Sequence, residues 1–148
     1  MRILLAVDGS EASDAAIDEV RQRPWPKGST VRVLSVVQQY MPSAPDVVLA
    51  SMTFEEIRAR LSEEAEQLTR AAAERVAAPS IMVETDVRQG DPRTAILDAA
   101  DEWKADLIVV GSHGRTGLQR LVMGSVAQSV VAHARCSVEV VRPRRRAA

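Results

Sequence analysis

Five residues near the start, Ile3-Leu4-Leu5-Ala6-Val7, and four further on, Leu107-Ile108-Val109-Val110, are apolar without a polar interruption. Runs this short and unbroken are the mark of strands buried on both faces, as strands of parallel sheets are. The pattern predicts strands over 2–7 and 107–110, and Val-, Ile- and Leu-rich stretches predict three more over 30–37, 81–88 and 137–141. Between them the apolar spacing changes to that of helices. The first helix runs from Glu11 to about Arg23, with Ser10 as its cap and Pro24 and Pro26 as its stop. The second begins at Thr53, which forms a capping box with Glu56, and carries Phe54, Ile57, Leu61, Ala65, Leu68, Ala72 and Val76 along one face. On its outer face Glu56 and Arg60, then Glu66 and Arg70, stand four apart with the acid first. The third opens with Asp91 as cap and Pro92 in the first turn, and buries Ile96, Ala100 and Trp103. The fourth starts at Gly124 or Ser125 and carries Val126, Ala127, Val130, Val131 and Ala134 at helical spacing. Strand and helix therefore alternate with no repeat and no change of composition. That predicts one α/β domain over 1–142, a doubly wound five-stranded parallel sheet with helices on both faces, followed by a basic tail over 143–148. The stretch 40–50, interrupted by Pro42 and Pro45, fits neither period.

Composition narrows the class. A chain of 148 residues can bury roughly two-thirds of its unfolded surface around one core. With 46% hydrophobic and 26% charged residues the balance is that of a globular domain. No apolar run is long enough to span a bilayer, and the N-terminus enters a strand rather than a signal sequence, so the expected location is cytoplasmic, with no membrane partner. The single cysteine, Cys136, fits a reducing compartment. A net charge of −1 and an aromatic content of 3% argue against a specific nucleic-acid partner. Gly114-Arg115-Thr116-Gly117 does match a short RNA-clamp pattern, but that clamp sits in a different fold. The arginines of the tail read as a solvated terminus.

The chemistry concentrates after the fourth strand, in Gly111-Ser112-His113-Gly114, nine residues, then Gly124-Ser125. Strand, glycine-rich loop and helix start are the parts of an anion site. Gly111 and Gly114 are expected to take positive φ, and the amides of Gly124, Ser125 and Val126 to point toward negative charge. The spacing is neither a Walker A loop nor the dinucleotide fingerprint. His113 and Arg115 lie in the loop, where imidazole and guanidinium can meet phosphate oxygens, although a lone loop histidine more often has no ligand. Asp8 ends the first strand, where an open parallel sheet binds its ligands. On position alone it is equally a ribose- or cation-binding carboxylate and an ordinary turn residue. With His133 twenty residues from His113 and Cys136 alone, no zinc-ligand spacing exists, and neither Ser10 nor Ser13 stands in a nucleophile elbow.

Taken with the opening Ile3-Leu4-Leu5-Ala6-Val7-Asp8-Gly9-Ser10 and the closing Cys136-Ser137-Val138-Glu139-Val140-Val141, the glycine spacing resembles the universal stress protein family, in its ATP-binding branch, over the whole chain. The resemblance implies a Rossmann-like, adenine-nucleotide alpha-hydrolase-like fold that binds ATP, with Mg²⁺ arriving on the nucleotide. It implies that Asp8 serves the nucleotide and any metal, and that Val36 and Val110 offer backbone groups to adenine. Gly111, Gly114, Gly124, Ser125 and Val126 would hold the phosphates, with 40–50 folding over the site. It further implies a homodimer through the last strand, Ser137–Val141. Ser137 stands where the family commonly has proline, and Glu139 would flank its symmetry mate unless Arg142 pairs across. The function implied is a stress-response, nucleotide-regulated binding protein. A slow ATP hydrolase and a cyclic AMP-binding protein are the alternatives, the first without a nameable general base.

Overall fold

The computed structural model describes residues 1–39, 53–115 and 122–143. The stretch 40–50 and the tail arginines 144–146 lie outside them. Among these residues nine elements alternate: β1 (Arg2–Ala6), α1 (Glu11–Gln22), β2 (Ser29–Val37), α2 (Phe54–Val76), β3 (Ile81–Gln89), α3 (Pro92–Trp103), β4 (Leu107–Gly111), α4 (Ser125–His133) and β5 (Ser137–Val141). The sheet is parallel throughout, in the order β3-β2-β1-β4-β5. The chain thus winds outward from β1 to β3, returns through α3, and continues on the other side of β1.

Two cores follow from the alternation of side chains along the central strands. On one face Ile3, Leu5, Val7, Val31, Val33, Leu107 and Val109 meet Ala16, Ile17 and Val20 of α1 and Ala72 and Val76 of α2. On the other, Leu4, Ala6, Leu34, Ile108 and Val110 meet Ile96, Ala99 and Ala100 of α3 and Ala127 and Val130 of α4. Burial on both faces is why β1 and β4 read as unbroken apolar runs. The outer strand β3 is only partly covered, and its charged side chains are paired: Glu84 receives Arg32 of β2 at 2.7 Å. Arg32 also lies over the Trp103 ring, 4.4 Å from its centroid, so Trp103 is half-buried beneath a cation rather than inside the core.

The helix starts follow the cap chemistry. Ser10 accepts from the Ser13 amide, Thr53 and Glu56 form the reciprocal capping box, and Asp91 accepts from the Arg93 and Thr94 amides. Two expectations on α2 are corrected. Because the Glu56 carboxylate accepts the Thr53 amide at 2.6 Å, Arg60 pairs instead with Glu64 at 3.4 Å. Phe54, placed on the buried stripe by its spacing, is 49% exposed. On α4, Val131 is likewise exposed, because the sheet covers only the Ala127 and Val130 side of this short helix.

The strands do not end level, and this shapes the C-terminal edge. β1 pairs with β2 up to Ala6 and Leu34, whereas β2 and β3 stay paired through Val37 and Gln89. Ser35, Val36 and Val37 therefore extend beyond the end of β1, to about 10 Å at Val37. α2 rises further. Leu68 would lie 3.9 Å from a Cβ at Gly9, and about 20 Å of helix extends from there toward Phe54.

Candidate functional site

The two strands on either side of the reversal of strand order, β1 and β4, release their chains into one crevice beside this wall. In open parallel sheets that is the position where ligands bind. β1 leads into Asp8-Gly9-Ser10. Gly9 has φ +78, a conformation that side chains resist, and it swings the chain directly into α1. The Asp8 carboxylate accepts the Ser10 amide through Oδ1 at 2.9 Å, which fixes it at the mouth of the crevice. The Ser13 hydroxyl accepts the Asp8 amide at 3.2 Å.

β4 ends in Gly111, whose role differs from the expected one. Neither Gly111 nor Gly114 has positive φ. A Cβ on Gly111 would lie 2.7 Å from the Ala12 carbonyl carbon and 2.8 Å from its oxygen, so the missing side chain lets the first turn of α1 lie on β4. Gly114 brings the loop onto Asp8 instead: its Cβ would stand 3.2 Å from Asp8 Oδ2. Gly124 is packed against the loop, with a would-be Cβ 3.3 Å from both His113 Cα and the Ser112 oxygen.

Ser112 and Ser10, absent from the expected site, hold this arrangement together. Ser112 is buried; its amide donates to Val141 at 2.8 Å and its carbonyl accepts the Gly124 amide at 2.7 Å, so it joins β5 to the start of α4. The Gly124 amide is thereby used inside the protein and does not point at solvent. Ser10 caps α1 and donates its hydroxyl to the His113 carbonyl at 3.2 Å. A buried serine beside a glycine loop was the available signal for the first; for Ser10, capping accounted for the residue and hid its second bond.

The remaining donors belong to Ser125 and Val126, in the first turn of α4, where amides have no acceptor within the helix. Gly124 is its N-cap and supplies no side-chain bond, in contrast to Ser10, Thr53 and Asp91 on the other described helices. Ser125 is exposed and Val126 half-buried. His113 Nδ1 lies 2.9 Å from the Ser112 hydroxyl. Arg115 Nε donates to the Asp8 carbonyl at 2.5 Å, across the crevice mouth.

On the wall, the last bond between β1 and β2 runs from the Val7 amide to the Leu34 carbonyl at 2.8 Å. Backbone groups alternate sides along a strand, so those of Val36 face the same way as those of Leu34, and there the neighbouring strand has ended. They open onto the crevice. By the same alternation, the Ser112 to Val141 bond turns the Val110 backbone toward β5, and Gly111 rather than Val110 faces the crevice. The structure thus brings Asp8, Val36, Gly111, His113, Gly114, Arg115, Gly124, Ser125 and Val126 around one opening and leaves Val110 in the sheet beneath it. A separate cleft of about 240 Å³, lined by Glu55, Arg58, Ala59, Ser62 and Gln89, contains none of them. Among the described residues no group of three or more His, Cys, Asp or Glu is placed to hold a metal ion, and no helix is long and apolar enough to cross a membrane.

Fold and site together define a doubly wound α/β domain whose glycine loop and first βα turn converge where the strand order reverses. The chain belongs to the universal stress protein family, whose family model matches residues 1–142. It is 40% identical over 141 residues to the universal stress protein in QAH/OAS sulfhydrylase 3'region of Thermus aquaticus, covering 95% of this chain and 97% of that one. It is 32% identical over 142 residues to universal stress protein MJ0531 of Methanocaldococcus jannaschii, covering 95% and 81%. Universal stress protein UspA from Lactobacillus plantarum superposes with a TM-score of 0.76 at 29% identity, over 96% of this chain and 97% of that one. Two more distant structures share the fold and carry ligands of their own. An Arabidopsis thaliana family member has AMP bound (TM-score 0.60, 17% identity, 98% and 93% covered). Another universal stress protein is in complex with cAMP (TM-score 0.56, 23% identity, 97% and 98% covered).

Proposed function

We propose that this chain binds ATP at the crevice between β1 and β4 and acts as a nucleotide-regulated binding protein in the cytoplasmic stress response. The observation that carries the reading is the start of α4: a helix N-terminus without a side-chain cap, set against Gly114 and beside Asp8, where the strand order reverses. Its first-turn amides and macrodipole favour a phosphate there. The Ser125 hydroxyl and the Arg115 guanidinium add donors, the Asp8 carboxylate suits a ribose hydroxyl, and the Val36 backbone offers an amide and a carbonyl at adenine height. One carboxylate fits Mg²⁺ held mainly by phosphate oxygens and water, with Asp8 as the protein's contribution. AMP and cAMP in structural relatives support an adenine nucleotide as the ligand class.

The test is calorimetric titration with ATP and Mg²⁺ of the wild-type chain and of the Gly114→Val and Ser125→Ala variants. One site per chain, weakened in both variants, is expected; a folded protein that binds no ATP overturns the reading. The cAMP complex of a relative makes the cyclic nucleotide the second reading, decided by competition between cAMP and ATP. We also propose a homodimer through β5, which among the described residues pairs with β4 alone and so leaves one edge of the sheet open. Sedimentation equilibrium returning a monomer at micromolar concentration would refute it.

A further inference from the structure

We propose that Arg115 makes the crevice select phosphorylated over unphosphorylated ligands, by lying across Asp8 and Gly9 until a phosphate group takes its guanidinium. The inference rests on the nucleotide-binding reading and adds to it the residue that discriminates. Arg115 leaves the loop directly after Gly114 and folds back over the first βα turn. Its Nε donates to the Asp8 carbonyl at 2.5 Å, and one terminal nitrogen would be 4.0 Å from a Cβ at Gly9. The guanidinium therefore covers the place where the chain leaves β1, next to the carboxylate that would meet a ribose. The side chain reaches there because Gly114, whose Cβ would stand 3.2 Å from Asp8 Oδ2, lets the loop settle onto Asp8.

The partner makes this position exchangeable. Among the described residues no carboxylate lies within ion-pair distance of Arg115, which is exposed and held by a neutral carbonyl. By contrast Arg23, Arg32 and Arg88, around the same sheet, each have a carboxylate at 3.1 Å or closer. A guanidinium on one neutral acceptor gains from moving to a phosphate, where the acceptor is charged as well and two bonds form in parallel. A ligand with a phosphate supplies the new partner as it displaces the old one. A nucleoside must displace Arg115 from the Asp8 carbonyl and gives nothing in return. Exchanging a single bond to an uncharged acceptor for a paired bond to an anion corresponds to roughly ten- to a hundredfold in relative affinity.

The experiment titrates ATP and adenosine separately into wild type, Arg115→Ala and Arg115→Lys, with thermal unfolding to establish that each variant is folded. For Arg115→Ala, ATP affinity is expected to fall roughly ten- to a hundredfold while adenosine affinity stays equal or rises. Arg115→Lys, with a charge but no planar fork, is expected to lie between. Parallel losses for both ligands, or an unchanged ratio between them, overturn the inference while leaving ATP binding intact. Absence of ATP binding by wild type overturns the underlying reading instead. A readout without nucleotide is the Nε–H resonance of Arg115, absent in Arg115→Lys. It should be protected from solvent exchange in the free protein and shift when inorganic tripolyphosphate is added; an unprotected Nε–H in the free protein also overturns the inference.

Discussion

Arg23, the residue that ends α1, reaches the edge strand β5 and grips Glu139 with both terminal nitrogens, at 2.6 and 2.7 Å. Glu19, one turn back on α1, takes the same guanidinium at 2.8 Å, and the cation lies 5.1 Å from the centre of the Trp25 ring. Glu139, foremost, and Glu19 raise the pKa of Arg23. The dimer that the family resemblance implies would set Glu139 beside its symmetry mate unless Arg142 paired across. In the fold the acid is neutralised within its own chain, because the end of α1 packs over β5 and brings a guanidinium from far away in sequence.

Arg23→Ala is expected to destabilise the chain by about 1–2 kcal/mol, more than an average surface pair because the geometry is bidentate and two acids lose their partner. Urea denaturation of Arg23→Ala, Glu139→Ala and the double variant measures the coupling between them. Additive losses would mean that the contact contributes nothing. In the proposed dimer the unpaired Glu139 should also weaken self-association of Arg23→Ala, read by sedimentation.

Gly111→Ala tests the close approach of α1 to β4. Its methyl group would sit within 2.9 Å of three Ala12 atoms, two of them backbone, which cannot turn aside as a flexible side chain can. The expected loss is about 1–3 kcal/mol, seen as a lower urea midpoint with an unchanged m-value. A neutral substitution would show that α1 can move off the strand at no cost.

Gly9→Ala separates backbone conformation from space. Leu68 and Arg115 would lie 3.9–4.0 Å from the new methyl, ordinary contact distances, but the φ of +78 remains. A loss of about 1–2 kcal/mol is expected, from conformation alone. Thermal unfolding checks it: for a chain of this size the melting temperature should fall by roughly 2–8 °C.

Acid should remove the charge-dependent part of the α3 cap. Arg93, then the amides of Thr94 and Arg93, hold the Asp91 carboxyl at about 2, below its ordinary 3.8. A depressed folded-state pKa gives stability that is fully present above the ordinary value and lost as the pH falls through the folded one. Asp91→Asn keeps an acceptor for the amides and loses the charge. Its stability gap to wild type should be constant near neutrality, narrow below about 4 and close near pH 2. A gap that does not vary with pH would mean that the carboxylate charge is irrelevant to the cap.

The elements were legible because their determinants are local. Unbroken apolar runs marked β1 and β4, and Ser10, Thr53 and Asp91 marked three helix starts, each with the cap bond its side chain predicts. The glycine spacing located the loop, but the reasons for its glycines were not local. Gly111 yields to α1, Gly114 to Asp8 and Gly124 to the loop itself, and each neighbour arrives from another element. The expectation of positive φ at Gly111 and Gly114 was wrong; near the site positive φ falls at Gly9, in the turn after β1.

By itself the sequence determined the alternation of strands and helices and the caps, since each depends on side-chain period and chemistry within a few positions. Only the tertiary structure decided which way groups face. It raised Val36 above the end of β1, turned Val110 into the sheet, used the Gly124 amide internally, set Arg115 on the Asp8 carbonyl and gave Glu139 to Arg23. These follow from strand register and from contacts between segments up to 116 positions apart, which no local window of sequence contains.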